Sequence, residues 1–143
     1  MTIHQISVFL ENRAGQLAEI TGILAENNID LRAINIAETT DYGVLRLIVS
    51  DAQKAGAILL EHGFILTMTP VVAVSVSDKP GGLAAVLKLL PDAGIDVQYM
   101  YSIFGQIDGL AHMIFRVEDC EKLVKVLEDN GISTIPGEHL GIR

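Results

Sequence analysis

The sequence has little of what several large classes of protein require. It contains one cysteine among 143 residues, so an intramolecular disulfide is impossible, which suits a reducing compartment. Its most apolar stretch, Pro70–Val76, is far shorter than the ~20 residues of a membrane span. The N-terminal segment lacks the charged region and the long apolar region of a signal peptide. These absences predict a cytoplasmic protein with no membrane partner.

Positive charge is also scarce. Ten Lys and Arg residues oppose 18 Asp and Glu residues, which gives a net charge of −8. Residues 1–70 carry four basic and eight acidic side chains, and residues 71–143 carry six and ten, so each half is equally acidic. Nucleic-acid binding needs a cationic surface. We therefore expect no nucleic-acid partner.

Groups that perform catalysis or bind metals do not occur at useful spacings. The four histidines are scattered, and neither His-x-x-x-His nor Cys-x-x-Cys is present. Cys120 begins a predicted helix without a paired histidine, and we interpret it as a small buried residue. The acidic residues around it complement the helix dipole: Glu118, Asp119 and Glu121. We expect no catalytic residue, no metal and no cofactor.

An internal duplication is the strongest feature that the sequence does have. Gly15 and Gly81 are 66 positions apart (81 − 15), and so are Leu17 and Leu83. The same shift relates three further pairs: Ile29 and Ile95, Asp30 and Asp96, Gly43 and Gly109. A constant shift without a gap indicates a repeat. We predict two domains, residues 1–69 and 70–143, each so small that it needs packing against the other or against a second chain.

Each copy shows the same order of hydrophobic patterns. An alternating run is followed by a glycine loop, a run at helical spacing, two further alternating runs and a second helical run. The copies end in predicted short strands, Phe64–Thr69 and Ile132–Ile135, and Thr69–Pro70 joins two strands directly. This order predicts an α+β fold of two ferredoxin-like βαββαβ units in tandem, with antiparallel sheets and helices on one face.

Local signals fix the ends of these elements. Asp51 and Asp119 are predicted helix N-caps. The predicted helix ends lie at Asn27–Asn28, Gly63, Gly94 and Gly131, and the predicted turns at Asp41–Tyr42–Gly43 and Asp108–Gly109. A phase slip in the alternation predicts a β-bulge near Arg32–Ala33 and another near Gln98–Tyr99.

Two glycine-containing loops occupy matching places before the first helix of each copy. Loop 1 is Glu11–Leu17 and loop 2 is Ser77–Leu83. A strand that enters a helix through such a loop leaves backbone N–H groups unpaired, and these favour an anion such as a carboxylate. The glycines fit a plain tight turn equally well. Neither loop matches a Walker loop or G-x-G-x-x-G.

The residues of both loops resemble the ACT domain family. Asp78–Lys79–Pro80–Gly81–Gly82–Leu83 followed by Gly94–Ile95–Asp96–Val97 is similar to the family pattern Asp-Arg/Lys-Pro-Gly-x-Leu, a helix, then Gly-Ile-Asn-Ile. Asn12–Leu17 followed by Asn28–Leu31 is similar to it too. The resemblance implies a regulatory module that binds an amino acid at a domain–domain interface and controls an enzyme of amino-acid metabolism.

Copy one also resembles the serine-binding regulatory domain of phosphoglycerate dehydrogenase. By that resemblance Asn12 takes the role of the loop asparagine, and Asp30 or Asp96 takes the partner position, where an Asp would pair with an α-ammonium group. Asp30 and Asp96 fit the start of a strand equally well. The family histidine is Leu10 here and the family proline is Ala14, which leaves serine as the ligand in doubt.

Two tyrosines complete the predicted site. Tyr99 and Tyr101 are expected to face away from the helices as an exposed pair, which fits a ligand pocket, a protein interface or the seam between the copies. The full set of predicted ligand-binding residues is Asn12, Arg13, Ala14, Gly15, Gln16, Leu17, Asp30, Asn35, Asp78, Lys79, Pro80, Gly81, Gly82, Leu83, Asp96, Tyr99 and Tyr101. The expected partners are a free amino acid and a second copy in a homodimer; the alternative is a regulatory subunit that docks on an enzyme such as an acetohydroxyacid synthase.

Overall fold

The computed structural model describes residues 2–11, 13–38 and 42–142, and it contains six strands and four α-helices in that part of the chain. The strands are β1 (Ile3–Leu10), β2 (Leu31–Glu38), β3 (Gly43–Val49), β4 (Ile65–Ser77), β5 (Tyr99–Ile107) and β6 (Leu110–Arg116). The helices are α1 (Gln16–Glu26), α2 (Ala52–Glu61), α3 (Gly82–Leu87) and α4 (Cys120–Asp129). Short 3₁₀ turns occupy Pro91–Ala93 and Gly137–Leu140.

The chain divides into two compact units. Residues 4–69 form the body of the first unit, and residues 70–140 form the body of the second. The ends of the chain belong to the unit of the other half: Thr2 and Ile3 lie in the second unit, and Gly141 and Ile142 lie in the first. β4 supplies its first residues to the first unit and the remainder to the second.

The first unit has an antiparallel sheet with the strand order β2-β3-β1-β4 and both helices on one face. Alternate residues of β1 and β3 point to that face and are fully buried, among them Ile6, Val8 and Leu47. They pack against Ile20 and Leu24 of α1, together with the apolar side of α2. This period-two burial on strands and helical spacing on α1 is the arrangement that the sequence predicts.

The second unit repeats the arrangement with the strand order β4-β6-β5. Val72, Val74 and Val76 of β4 face Phe115 of β6 and the apolar side of α4 in one core. The strand predicted at Ile132–Ile135 is reduced to a single bridge, in which Thr134 pairs with Val74. The strand predicted at Phe64–Thr69 is the beginning of the 13-residue β4. The α+β fold of two tandem βαββαβ units is confirmed.

Several short-range predictions are confirmed by the backbone. The carboxylates of Asp51 and Asp119 each accept a hydrogen bond from a first-turn N–H at 3.1 Å, one from Lys54 and the other from Lys122. Asn28, at φ +57°, follows the end of α1, and the helix ends at Gly63 and Gly131 also have positive φ. The helix end predicted at Gly94 is wrong for α3, which ends at Leu87; Gly94, at φ +70°, ends the 3₁₀ turn Pro91–Ala93 instead. The turn at Asp108–Gly109 has positive φ at both residues. In the other predicted turn, Asp41 lies outside the described residues.

One of the two bulge predictions is confirmed and the other is wrong. The pairing of β2 with β3 slips by one residue between Leu31 and Ala33, which confirms the first bulge. The second prediction is wrong: β5 begins at Tyr99, and its register shift lies between Ser102 and Gln106. The phase slip in the sequence therefore marks the start of β5, where the chain leaves an irregular approach, and not an extra residue within the strand.

Candidate functional site

Loop 1 turns the chain from β1 into the first residue of α1. Gly15 has φ +84° and is the N-cap of the helix, a backbone conformation that residues with a side chain rarely adopt. The cap carries no side-chain hydrogen bond, and the first bond within the helix joins the Glu19 N–H to the Gly15 carbonyl at 3.0 Å. The N–H groups before Glu19 have no helical acceptor. Loop 1 thus presents backbone donors at the positive end of an 11-residue helix.

Gln16 connects the two ends of loop 1 through a buried hydrogen bond. Its side chain is 5% exposed, and its Oε1 accepts a hydrogen bond from the Glu11 backbone N–H at 2.8 Å. This bond ties the first residue of α1 to the residue that follows β1, so the segment between them is held at both ends. Leu17 packs against the core of the first unit. Gln16 and Leu17 therefore shape loop 1 from the buried side.

The outer residues of loop 1 are exposed. Arg13 lies between two carboxylates, with its guanidinium 3.4 Å from Glu19 and 3.9 Å from Glu11. Ala14 and Gly15 are exposed beside it. Asn12, to which the resemblance assigns the central role, lies outside the described residues. The surface pairs contribute little stability because water screens them, which leaves Arg13 available to a ligand at small cost.

Loop 2 reproduces the backbone of loop 1. Gly81 has φ +86° and is the N-cap of α3, again without a side-chain cap. Asp78 donates its N–H to the Gly109 carbonyl at 3.1 Å, and Gly82 donates its N–H to the Lys79 carbonyl at 3.0 Å. Lys79 and Pro80 are exposed, whereas Leu83 packs against the core of the second unit.

Gly82 shows how loop 2 is closed. A Cβ at this position would overlap the Ser77 carbonyl oxygen and lie 2.8 Å from its carbonyl carbon. Ser77 and Gly82 correspond to Glu11 and Gln16 by the repeat (77 − 66, 82 − 66). The same two positions are therefore joined by a side-chain hydrogen bond in loop 1 and by direct backbone contact in loop 2.

A cavity of about 300 Å³ opens beside loop 1 within the first unit. Its lining comes from the end of β1, from loop 1, from the residue before β3 and from the start of β4: Phe9, Leu10, Glu11, Gln16, Tyr42, Gly63, Phe64 and Ile65. The rings of Phe9 and Tyr42 meet at its rim with centroids 6.3 Å apart and a tilt of 58°. The polar groups of this lining are the side chains of Glu11 and Gln16, which belong to loop 1, and the hydroxyl of Tyr42.

Asp30 and Asn35 lie away from loop 1 in the first unit. Loop 1 follows the end of the sheet where Leu10 pairs with Gly43, whereas Asp30 lies at the other end, where its carbonyl accepts the Ser50 N–H. The Asp30 carboxylate contacts the guanidinium of Arg32 at 3.2 Å. The amide oxygen of Asn35 accepts a hydrogen bond from Arg46 at 3.0 Å. The structure therefore does not bring these residues to loop 1 of the same unit, and their role stays a prediction.

Asp96 lines a different cavity, of about 710 Å³, in the second unit. This cavity lies where β6 leads into α4, and Gly94, Gln98, Cys120 and Lys122 are also in its lining. Loop 2 is at the opposite end of that sheet, where Ser77 pairs with Leu110. Cys120 is buried as expected, with its Sγ 3.6 Å from the Pro70 carbonyl. Asp96 and loop 2 are thus not combined within the unit.

The tyrosine pair requires a correction. Tyr99 and Tyr101 stack with ring centroids 6.5 Å apart and planes 17° apart. Met100 between them packs into the helix-facing core, which places the two rings on the other face as predicted. Tyr101, however, is only 7% exposed and Tyr99 is half-buried, so the pair is not an exposed aromatic surface. Alternation indicates the face of a strand but not what covers that face.

Sequence reasoning missed the apolar half of the loop 1 cavity. Phe9, Tyr42 and Ile65 are 40%, 48% and 69% exposed, and each looks like an isolated surface hydrophobe in the sequence. The available signal was the position of Phe9 two residues before loop 1. Within residues 2–11, 13–38 and 42–142, no group of histidine, cysteine or carboxylate side chains is arranged to hold a metal, and no helix has the length and apolarity to span a bilayer.

Comparisons with known proteins agree with this architecture. A family model described as an ACT domain pair matches residues 1–142. A protein of Bacteroides thetaiotaomicron with a crystal structure is 38% identical, with a TM-score of 0.91, and the likeness covers 99% of this chain and 96% of that chain. No protein of curated function matches the sequence.

Two more distant structures share the fold alone. The ligand-free regulatory subunit of aspartate kinase from Thermus thermophilus is 18% identical, with a TM-score of 0.64 and coverage of 88% of this chain and 91% of that chain. The aspartate kinase of Synechocystis is 16% identical, with a TM-score of 0.58, over 94% of this chain and 27% of that chain.

Proposed function

The chain belongs to the ACT domain family, and from this premise we propose that it is a regulatory protein that binds a free α-amino acid at loop 1. The observation that carries the proposal is the open helix N-terminus at Gly15. Backbone N–H groups at this end suit the α-carboxylate, and the Glu11 carboxylate next to them suits the α-ammonium. Loop 1 has a cavity beside it that is large enough for a small ligand, which favours it as the primary site.

Asn12, Asp30 and Asp96 have separate parts in the proposed site. Asn12 contributes to the loop 1 site by the resemblance. Asp30 and Asp96 do not lie at the loop of their own unit, so either one would complete a site only from outside that unit. We propose that a second copy of the chain supplies it, which requires a homodimer. Sedimentation equilibrium tests it directly, with an expected mass of twice the 15.4 kDa of one chain.

Thermal unfolding against each of the twenty amino acids at millimolar concentration tests the proposed function. A ligand at about 100 times its dissociation constant adds ~2.7 kcal/mol to the free energy of unfolding. For a chain of this size we expect a rise in Tm of ~5–10 °C for one amino acid or for one chemical group of them. If none of the twenty changes the Tm, the protein is not a sensor of free amino acids.

A matched pair of variants locates the site. Gly15 and Gly105 have similar positive φ values, +84° and +92°, and a Cβ at either would meet nothing within 4 Å. Gly15→Ala and Gly105→Ala should therefore cost similar backbone strain, ~1–2 kcal/mol. Only the Cβ at Gly15 would stand in front of the proposed carboxylate donors. We expect Gly15→Ala to weaken binding at least ~10-fold, or ~1.4 kcal/mol, with Gly105→Ala within twofold of the unmodified protein.

The fold shared with a regulatory subunit of aspartate kinase motivates a second proposal, that this chain controls a separate enzyme. The affinity-tagged protein should then retain an enzyme of amino-acid metabolism, and the activity of that enzyme should respond to the amino acid found in the unfolding assay. Retention that is equal with and without the amino acid, together with an unchanged activity, would contradict this second role and leave the first in place.

A further inference from the structure

The lining of the cavity beside loop 1 combines polar and apolar residues. Loop 1 contributes Glu11 and Gln16. The rest of the lining, which we call the apolar wall, is mostly apolar and consists of Phe9, Leu10, Phe64, Ile65, the ring of Tyr42 with its single hydroxyl, and the backbone at Gly63. All these residues belong to the first unit. A molecule that enters the cavity with its polar end at loop 1 would place the rest of its structure against apolar side chains.

The apolar wall is unusually open to solvent. Phe9 and Tyr42 are 40% and 48% exposed although their rings contact one another, and Ile65 is 69% exposed. Two aromatic rings in a tilted arrangement with an aliphatic side chain next to them offer a surface that gains from being covered. Contiguous apolar surface of this kind marks binding sites more often than isolated exposed residues do.

The polar side of the cavity limits the ligand further. The Gln16 oxygen is already engaged by the Glu11 N–H, and no basic residue is among the described residues of the lining. An aspartate or glutamate side chain that enters the cavity would add a carboxylate next to Glu11, and Arg13, the cation of loop 1, is not in the lining. A serine or asparagine side chain would lose part of its water against Phe9 and Phe64, whereas an apolar side chain gains from that contact.

The size of the cavity is the remaining constraint. About 300 Å³ lies at the lower end of the range in which small-molecule sites are found. A single amino acid fits this volume, whereas a dinucleotide or a folded peptide does not. We infer that the first unit selects amino acids with an apolar side chain, aromatic or branched aliphatic, which Phe9, Tyr42 and Ile65 contact while loop 1 holds the backbone of the ligand.

This inference rests on the proposed function, so the experiment separates the two. Calorimetric titration of the full chain compares L-phenylalanine and L-leucine with L-serine, L-aspartate and L-lysine. We expect binding of an apolar member to be ~10–100-fold tighter than binding of serine, which is the discrimination that an apolar pocket provides. If none of these five binds and none of the twenty raises the Tm, the proposed function fails. If a polar one binds most tightly, only the inference about selectivity is overturned.

Three variants test the apolar wall. Phe9→Ala and Ile65→Ala remove side chains of the wall, and Phe104→Ala is the control, because Phe104 is also an exposed strand phenylalanine (51%) but lies in the second unit outside the cavity. We expect the dissociation constant for the apolar amino acid to rise ~10-fold in Phe9→Ala and ~3-fold in Ile65→Ala. Phe104→Ala should stay within twofold.

Two controls show whether a loss of affinity comes from unfolding of the variant or from the removal of any exposed phenylalanine. The Tm of each variant without ligand shows whether it is folded, and Ile65→Ala keeps the test decisive if Phe9→Ala unfolds, because Ile65 is the most exposed residue of the wall. Unchanged affinity in both wall variants would overturn the inference even if an apolar amino acid binds. A loss of affinity of the same size in Phe104→Ala would overturn it as well.

Discussion

Replacing Gly82 with alanine tests how loop 2 is held against the strand before it. An added Cβ would overlap the Ser77 carbonyl oxygen and lie 3.2 Å from the Ser77 Cβ. Backbone atoms cannot turn aside as the end of a flexible side chain can, so either loop 2 or the end of β4 has to move. Forced overpacking of this kind costs ~1–3 kcal/mol and sometimes more. Because the obstacle is backbone, we expect the upper end, ~3 kcal/mol.

The neighbouring glycine supplies the comparison. Gly81 has φ +86°, but a Cβ there would meet nothing within 4 Å. Gly81→Ala carries only the cost of the left-handed conformation, ~1–2 kcal/mol. Gly22, inside α1, has neither a positive φ nor a neighbour within 4 Å, and Gly22→Ala should stabilise the protein by ~0.5–1 kcal/mol. The expected order of stability is therefore Gly22→Ala, unmodified protein, Gly81→Ala, Gly82→Ala.

Thermal unfolding followed by far-ultraviolet circular dichroism measures the four proteins under one condition. At ~3 °C per kcal/mol, the Tm of Gly82→Ala should be ~9 °C lower than that of the unmodified protein, against ~3–6 °C for Gly81→Ala. The reasoning fails if Gly82→Ala is as stable as Gly81→Ala. The positive φ would then be the main constraint in loop 2, and the contact with Ser77 would relax without cost.

Two further predictions concern the hydrogen bonds that hold loop 1 and the N-termini of α2 and α4. Gln16→Leu removes the acceptor of the Glu11 N–H and should cost ~1–2 kcal/mol in urea unfolding, whereas Glu11→Ala keeps that backbone N–H and its bond to Gln16 and should be nearly neutral; equal losses in both variants would show that the hydrogen bond is not what matters. Asp51→Ala and Asp119→Ala should each cost ~1 kcal/mol because both carboxylates cap a helix at 3.1 Å, and the matching Asp→Asn changes should be nearly neutral; a large loss in the asparagine variants would instead implicate the charge.

Features set by neighbours in the sequence were predictable. The caps at Asp51 and Asp119 and the left-handed helix end at Asn28 depend on a few adjacent residues, and the structure confirms them. The repeat strengthened these predictions, since one backbone problem was solved twice with compatible residues. The order of strands and helices was predictable for the same reason, because hydrophobic periodicity is a local property.

Features set by distant residues were not predictable. Tyr101 is buried because of what lies over its face of the sheet, and alternation along β5 contains no information about that cover. The loop 1 cavity combines Phe9, Tyr42 and Ile65 from three separate segments, so no local sequence motif indicates it. The misplaced second bulge has a related cause, since pairing with β6 decides where β5 becomes regular.

The different closures of the two loops mean that the loops are no longer exchangeable parts. A glutamine transplanted to position 82 would drive its side chain into Ser77, and a glycine transplanted to position 16 would leave the Glu11 N–H without its acceptor. In both pairs the strand residue takes part through its backbone, so the first residue of the helix decides how the loop is closed. An engineer who grafts one loop onto the other unit therefore has to include Gln16 or Gly82 in the graft.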